Sequence, residues 1–322
     1  MAPARVADRV SAAATSSGIL LVDKPQGWTS HDVVAKTRRL ANTRKVGHAG
    51  TLDPMATGLL VLGIGSSTRL LTYVVGTDKE YHATIRLGES TTTDDADGEV
   101  VGTAPGGAIA ALSTDDVLAG IAKLTGEIEQ VPSTVSAIKV EGKRAYARVR
   151  AGEDVVLEPR PVTISAFELL GYEPVSTNGE PSALDLMVRV ECSSGTYIRA
   201  LARDLGADLG VGGHLTELRR TRVGPFEVAD SVILDDLDVA SRLMSPATAA
   251  SALFGSFAMT EQQAIDLSHG KVIHIPEHEH VEGPIAAISP SGHLVGLIEL
   301  RGQEGRSLVN FPADELAPGT TA

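Results

Sequence analysis

The sequence predicts a protein of the α+β class that ends in a small β-barrel-like module. Short apolar runs typical of buried strands, such as GILLVD at 18–23 and LLVLGIG at 59–65, recur in the first two-thirds of the chain. Capped segments of helical periodicity lie between such runs, as at 114–124. From Met259 onward the pattern changes to short strand-like runs broken by Gly and Pro, which is typical of a small barrel.

The individual elements are predicted from local signals. The strand at 18–23 stops at Lys24-Pro25, and Thr29 or Ser30 can then cap a helix. The apolar face of that helix comprises Val33, Val34, Thr37, Leu40 and Ala41. The other expected elements are a short helix at 68–75, a strand at 79–88, an exposed acidic loop at 88–102, strands at 161–172 and 184–192, a helix capped by Ser193 or Ser194, a strand at 214–226 and a helical connector at 234–243.

Composition places the 322-residue chain among globular proteins, since 43% of its residues are hydrophobic and 21% are charged. No apolar run approaches the ~18 residues of a membrane span, and residues 1–17 lack the apolar core of a secretory signal. The single cysteine, Cys192, excludes an internal disulfide and fits a reducing compartment. We therefore expect a cytoplasmic protein with a flexible tail at 1–17 and no contact with membranes.

The net charge of -13 argues at first against a nucleic-acid partner. The charge is unevenly distributed, however, because basic residues bunch at 36–45, 139–150 and 199–222. An enzyme that acts on RNA needs a local basic groove for phosphate contacts and does not need a basic total. The composition therefore permits an RNA substrate without requiring one.

One stretch carries a candidate catalytic side chain. In GHAGTLDPMATGLLVLGIG, at 47–65, Asp53 lies in a glycine-punctuated loop before a predicted buried strand. The proline that follows it favours an extended or turn backbone at Asp53, and loops braced by rigid strands often carry chemistry. By residue types alone, the same string also fits an ordinary Asp-Pro turn.

Four ordered blocks of the sequence resemble the tRNA pseudouridine synthases of the bacterial B type. The blocks are LVDKPQGWTSHDVV, GHAGTLDPMATG, KEYHATIRLG and GTYIR, all within residues 18–226. The resemblance implies a catalytic domain at 18–245, built on a mixed, mainly antiparallel sheet flanked by helices and loops. It also implies isomerisation of one uridine to pseudouridine, at position 55 in the T-loop of tRNA, by base flipping and without a cofactor, a metal or a protein partner.

The resemblance implies a role for each of nine residues. Asp53 is the nucleophile and Arg199 is its ion-pair partner, which would favour the ionised carboxylate. Taken without the family, Arg199 would be a surface arginine, and the tyrosines and leucine would be packing residues. The other expected RNA contacts are Lys24 with the backbone, His48 in the space left by the flipped base, Tyr81 stacked on the uracil, Tyr197 and Leu218 at the pocket wall, and Arg219 and Arg220 with the backbone.

The C-terminal part, at 246–322, resembles the RNA-binding PUA domain by its position and strand pattern. From residue 251 on it has nine Asp or Glu against three Lys or Arg, so we expect it to bind phosphates weakly. PEHEH, at 276–280, is more typical of a polar loop than of a metal site. Tyr146, in a basic segment that matches the family pattern, is expected to be structural.

Two other classes of function fit parts of the pattern. A tRNA-binding or tRNA-folding module without catalysis would use the basic stretches and leave Asp53 incidental. A hydrolase of small glycosides would typically pair two carboxylates, and the signature loop at 47–58 contains only Asp53. A small glycoside would also leave the basic stretches without a function.

Overall fold

The structure is a computed structural model that describes residues 17–133, 139–140, 143–144, 157–177, 180–275 and 283–312. Tyr146, the PEHEH segment and all but the last residue of the expected tail at 1–17 lie outside these ranges. The strands are β1 (Gly18–Lys24), β2 (Val46–Ala49), β3 (Thr57–Ile64), β4 (Lys79–Leu87), β5 (Glu89–Thr91), β6 (Val100–Thr103), β7 (Gly126–Gln130), β8 (Lys139–Val140), β9 (Lys143–Arg144), β10 (Arg160–Thr177), β11 (Glu180–Cys192), β12 (Gly213–Val223), β13 (Phe226–Glu227), β14 (Val232–Ile233), β15 (Gly255–Ala258), β16 (Ile273–His274), β17 (Ile285–Ile288), β18 (Leu294–Arg301) and β19 (Glu304–Asn310).

The described α-helices are short and lie between these strands. They are α1 (Ser30–Leu40), α2 (Leu71–Gly76), α3 (Ala108–Ala111), α4 (Thr114–Lys123), α5 (Ile198–Asp208), α6 (Val239–Arg242), α7 (Pro246–Leu253) and α8 (Glu261–Ser268), with 3-10 turns at Gly65–Arg69, Val228–Asp230 and Leu234–Asp236. None of the helices in the described ranges is long and apolar enough to cross a membrane. The predicted α+β class is confirmed.

A ten-stranded mixed sheet forms the larger part of the molecule. Its order is β14-β1-β3-β12-β4-β11-β10-β7, with β2 added to β3 and β13 added to β12. Most neighbours are antiparallel, whereas β1 with β14 and β3 with β12 are parallel. The predicted mixed, mainly antiparallel sheet is therefore present. Strand β4 lies between β12 and β11, so Tyr81 faces Arg220 on one side and Val190 on the other in the register.

The apolar run of β3 is continuous because the strand is covered on both faces. Leu60 and Leu62 pack with α1 and alternate residues of β1 in one cluster. Leu59 and Val61 point the other way, into a cluster that includes α2, α7 and the C-terminal sheet. A third cluster joins α4 and α5 to strands β4, β10, β11 and β12. Since the site described below lies where α1 and α5 approach the sheet, these clusters hold its elements in place.

Helix α1 begins as the sequence predicts and ends differently. Thr29 is the N-cap residue, and it forms a reciprocal capping box with Asp32. Val33, Val34 and Thr37 are buried as expected, whereas Leu40 is 50% exposed. The assignment of Leu40 to the apolar face is therefore wrong: the helix ends there, and the chain turns through Asn42, which has a positive φ of 47°.

The C-terminal part forms a separate five-stranded sheet in the order β15-β17-β18-β19-β16. Its strands carry their own apolar cluster around Ile285 and Ile298. A second set of residues, including Leu297 and Phe311, joins the cluster of β1 and β3. The two sheets thus share apolar contacts, and the strand-rich character predicted from Met259 onward is confirmed.

Candidate active site

The loop that carries Asp53 connects β2 to β3 and is braced by the start of α1. The Ser30 hydroxyl accepts from the Leu52 amide at 2.9 Å and donates to the Leu52 carbonyl at 3.1 Å. The Gly27 amide donates to the Pro54 carbonyl at 2.8 Å. The expectation that a loop extends from Gly47 is wrong in part, because Val46–Ala49 form β2 and His48 lies on that strand. Asp53 itself lies in the irregular segment, as predicted.

Lys24 lies beneath this loop and is fully buried. Its ammonium group donates to the carbonyls of Trp28 at 2.7 Å, Pro25 at 3.0 Å and Pro54 at 3.4 Å. Burial lowers the pKa of Lys24 to about 8, although the Asp53 carboxylate opposes this change. The expected contact of Lys24 with the RNA backbone is therefore wrong, because the structure uses its charge to hold the Asp53 loop.

Arg199 holds two carboxylates at once. One terminal nitrogen of its guanidinium lies 3.0 Å from an Asp53 carboxylate oxygen, and the other lies 3.3 Å from Asp95. That second nitrogen also donates to the Thr93 carbonyl at 2.8 Å. The side chains of Arg199 and Asp95 are each 5% exposed, whereas that of Asp53 is 39% exposed. The arrangement leaves Asp53 as the carboxylate that is open to a ligand.

The pKa of Asp53 shifts in the opposite direction from the one that pairing with Arg199 alone predicts. Burial raises the pKa of its carboxyl above the ordinary value, Arg199 opposes that rise, and Asp95 adds to it. The close guanidinium favours the ionised form, as expected, but desolvation outweighs it. Asp53 is therefore a more basic carboxylate than one in water, and Arg199 limits the increase.

A pocket of about 310 Å³ opens beside Asp53, which is at the small end of the range for ligand sites. Tyr81 and Leu218 lie on its wall and are almost fully buried. Lys79 also lines it, and burial lowers the pKa of this lysine to about 8. The rest of the lining includes Gly50, Thr51, Leu52, Val75 and residues 193–199. Six of the predicted site residues thus meet here: Asp53, Tyr81, Tyr197, Arg199, Leu218 and Arg220.

Tyr197 is placed by a side chain from a distant strand. The predicted capping of this helix by Ser193 or Ser194 is wrong, because Tyr197 is the N-cap residue of α5 and supplies no side-chain cap. Instead, the Gln130 amide accepts from the Tyr197 N–H at 2.8 Å and donates to the Tyr197 carbonyl at 3.1 Å. Gln130 is buried at the end of β7. It fixes the first turn of α5, from which Arg199 projects.

His48 lies next to the pocket and does not line it. Its ring contacts the His31 ring edge-on, with centroids 5.6 Å apart and an interplanar angle of 77°. Burial lowers the pKa of His48, and nearby His31 contributes to that direction. The imidazole is therefore held largely neutral at neutral pH, which favours contact with a base over contact with a phosphate.

Arg219 and Arg220 are neighbours in β12 with different surroundings. Arg220 is fully buried, donates to the carbonyls of Leu59 at 2.8 Å and Gly50 at 3.1 Å, and lines the pocket. Its expected contact with the RNA backbone is therefore wrong. Arg219 pairs with Asp23 at 2.7 Å and keeps 42% of its side chain exposed, so it stays a candidate.

The sequence analysis missed Lys79 on the pocket wall, and it missed two residues that position the site, Asp95 and Gln130. Asp95 lies in the segment expected to be an exposed acidic loop, yet it is buried between β5 and β6 and pairs with Arg199. Gln130 carried no local signal at all. For Asp95, the presence of Thr93 two residues earlier is a weak sequence signal, because Thr and Asp side chains that hydrogen-bond each other commonly order a turn. Within the described residues, no group of three or more His, Cys, Asp or Glu could hold a metal ion.

Comparison with known proteins identifies the family to which this chain belongs. Family models match along most of the chain: the N-terminal domain of the TruB family pseudouridylate synthases at 38–198, the C-terminal domain of tRNA pseudouridylate synthase B at 199–256, and the C-terminal region of tRNA pseudouridine synthase II at 254–312. Curated relatives called tRNA pseudouridine synthase B include one from Leifsonia xyli, 65% identical over 94% of this chain and 98% of the relative. Another, from an Arthrobacter species, is 54% identical over 94% of this chain and 99% of the relative.

Solved structures show the same fold at low sequence identity. An H/ACA ribonucleoprotein bound to a substrate RNA containing 2'-deoxyuridine matches with a TM-score of 0.65 and 23% identity, over 92% of this chain and 86% of that chain. A Cbf5-Nop10-Gar1 complex matches with a TM-score of 0.64 and 24% identity, over 92% and 84%. The chain belongs to the TruB family of pseudouridylate synthases.

Proposed function

We propose that this protein converts a uridine in the T-loop of tRNA, at position 55, to pseudouridine, with Asp53 as the nucleophile. The observation that carries the proposal is the 3.0 Å ion pair between Asp53 and Arg199 at a pocket walled by Tyr81 and Leu218. The relatives called tRNA pseudouridine synthase B support the choice of tRNA as substrate. The pocket has room for a single flipped nucleotide and is too small for a folded RNA loop.

The reaction begins when the uridine leaves its stack, which costs a few kcal/mol. Tyr81 then offers an aromatic face to the uracil, and stacking of this kind is worth ~1–3 kcal/mol per base. Leu218 and Tyr197 close the pocket around the base. His48, on the strand that leads into the Asp53 loop, occupies the space that the base has left. These contacts together hold the nucleotide against Asp53.

Asp53 acts in its ionised form, paired with Arg199. It forms a covalent bond either to carbon 6 of the base or to carbon 1′ of the sugar, and either route divides a difficult step into two. In the net reaction the bond from nitrogen 1 to carbon 1′ breaks and a bond from carbon 5 to carbon 1′ forms. Carbon 5 loses its hydrogen and nitrogen 1 gains a proton, so the reaction has no net redox change.

The two sheets divide the chain into two parts with different proposed roles. We assign residues 18–245 to catalysis and 246–322 to a PUA-like domain that braces the fold and contacts RNA weakly. The apolar cluster shared by Leu297, Phe311 and strands β1 and β3 supports the bracing role. The substrate also implies that the protein works in the cytoplasm, where tRNA is modified.

Release of tritium tests the proposal directly. Unmodified tRNA transcript carrying uracil labelled at carbon 5 is incubated with the protein, and the released label is counted. We expect one label per tRNA to be released and the product to map to position 55. Stoichiometric binding without release would instead support a tRNA-binding module, and product at another uridine would overturn the assignment of the T-loop.

A further inference from the structure

A strongly basic segment interrupts this acidic protein just before the Asp53 loop. Between Asp32 and Asp53 the chain contains five Lys or Arg residues and no Asp or Glu, whereas the whole protein has a net charge of -13. Four of the five cations, Arg38, Arg39, Arg44 and Lys45, are exposed. They lie in the last turn of α1 and in the connection to β2. We call these four residues the basic turn.

The basic turn differs from most other cations of the surface because its charges are not neutralised. Ten cations elsewhere are paired with carboxylates: Lys36, Arg86, Lys123, Arg189, Arg203, Arg219, Arg222, Lys271, Arg301 and Arg306. Across the ranges that the structure describes, none of the four residues of the basic turn makes an ion pair. Arg38 donates to the Val46 carbonyl at 2.9 Å, which fixes the turn against β2.

The basic turn is also close to the pocket. Lys45 directly precedes β2, and His48 lies three residues farther on, which is about 10 Å of extended chain. Two residues beyond His48, Gly50 lines the pocket. A strand of RNA that delivers a base to Asp53 therefore passes within reach of these cations. On a protein that is otherwise acidic, they are also charges that can steer RNA to this side.

We propose that the basic turn binds the backbone phosphates of the RNA strand that enters the pocket. This inference rests on the proposed function, because it takes the T-arm of tRNA as the ligand. The basic turn takes the RNA-backbone role that was first expected of Lys24 and Arg220, whose side chains donate to protein carbonyls instead. Phosphate contacts of this kind fix the register of the RNA and carry no sequence information.

Salt-dependent binding of an isolated T-arm hairpin tests the inference. The association constant is measured between about 50 and 200 mM salt for the wild type, Arg44→Gln, Lys45→Gln and the double variant. Each lost phosphate contact lowers the slope of log K against log salt by about 1, so we expect a loss of about 2 in the double variant.

A matched control separates local contact from general loss of positive charge. The double variant Lys123→Gln and Lys271→Gln removes two exposed cations that already have carboxylate partners, and it should keep the wild-type slope. The inference is overturned if the Arg44 and Lys45 double variant binds the hairpin with the wild-type slope and affinity. If the wild type forms no pseudouridine, the proposed function fails, and the slopes still decide whether this turn holds RNA.

Discussion

Asp95 and Arg199 form an ion pair of 3.3 Å in which each side chain is only 5% exposed. Arg199 is therefore anchored from the protein interior, and its other terminal nitrogen holds Asp53 at 3.0 Å. Asp95 is itself fixed, since it accepts from the Asp97 amide at 3.1 Å and from the Thr93 hydroxyl. Asp53, the proposed nucleophile, is thus positioned by a chain of contacts that begins in the β5–β6 segment.

Replacement of Asp95 tests that chain. Asp95→Asn keeps an oxygen for the Asp97 amide but weakens the hold on Arg199, so we expect turnover to fall about 10- to 100-fold through misplacement of Asp53. In the wild type the negative charge of Asp95 raises the pKa of Asp53. The substitution removes that charge, so the pKa of Asp53 should fall. Since the rate increases with pH as Asp53 ionises, the acid limb of the pH–rate profile should move to lower pH.

Asp185→Asn is the matched control for this prediction. Asp185 pairs with Arg86 at 2.7 Å in the same sheet, away from the pocket. That variant should leave both the turnover rate and the acid limb unchanged. Equal effects of the two substitutions would show that Asp95 acts only through general stability.

Gln130 provides a second test of how the site is positioned. Gln130→Ala removes both hydrogen bonds between this side chain and the Tyr197 backbone, and a typical hydrogen bond contributes about 0.5–1.5 kcal/mol to stability. We expect a lower free energy of unfolding and a turnover rate reduced about 10- to 100-fold, because the first turn of α5 also carries Arg199. Gln130→Glu keeps an acceptor for the Tyr197 N–H and should recover part of the rate.

Gln263 offers a control with the same chemistry in the C-terminal sheet region. Its side-chain amide accepts from the Thr260 N–H and donates to the His274 carbonyl, both at 2.8 Å. Gln263→Ala should therefore destabilise the protein and leave the single-turnover rate unchanged. A Gln130→Ala variant with wild-type turnover would contradict a positioning role.

Lys24 is expected to stabilise the Asp53 loop without touching the substrate. Lys24→Met removes the ammonium donor from the carbonyls of Pro25 and Trp28 and leaves the Pro54 carbonyl with the Gly27 amide, so turnover should fall and the loop should loosen. The pKa of Lys24 is about 8 in the folded protein, against an ordinary lysine value of 10.5 that applies to the unfolded chain. Between these values the unfolded state binds more protons, so stability gained from Lys24 increases with pH.

Urea unfolding at several pH values measures this contribution. The free energy of unfolding of the wild type, taken relative to Lys24→Met, should rise as the pH increases from about 8 to about 10.5. Because only the difference between the two proteins is used, other titrating groups cancel. A difference that is constant across this range would contradict the lowered pKa of Lys24.

The sequence predicted the parts of the site that lie in local, recognisable patterns. The loop and strand made Asp53 a candidate but also fitted an ordinary Asp-Pro turn, and both its role and its pairing with Arg199 were implied by the family resemblance. Asp95 was missed because an acidic, turn-rich segment normally faces solvent, whereas in the fold its carboxylate pairs with Arg199 and accepts from Thr93 and Asp97. Gln130 was missed because its partner lies 67 residues away.

The errors with Lys24 and Arg220 have a shared physical cause. A basic side chain is usually exposed, so a sequence pattern assigns it to the surface and to RNA. In the fold, both cations satisfy carbonyl groups of irregular backbone around the Asp53 loop. Such groups belong to segments that only the folded chain brings together, and no local periodicity reveals them.

The central claim is that Asp53 forms the covalent bond that starts the reaction. The most direct measurement is single-turnover release of tritium from tRNA labelled at carbon 5 of uracil, with Asp53→Asn in excess over RNA. Binding of the same tRNA is measured in parallel and should match the wild type. We expect no release above the background without enzyme, and release at a measurable rate by a variant that binds normally would contradict the role of Asp53 as nucleophile.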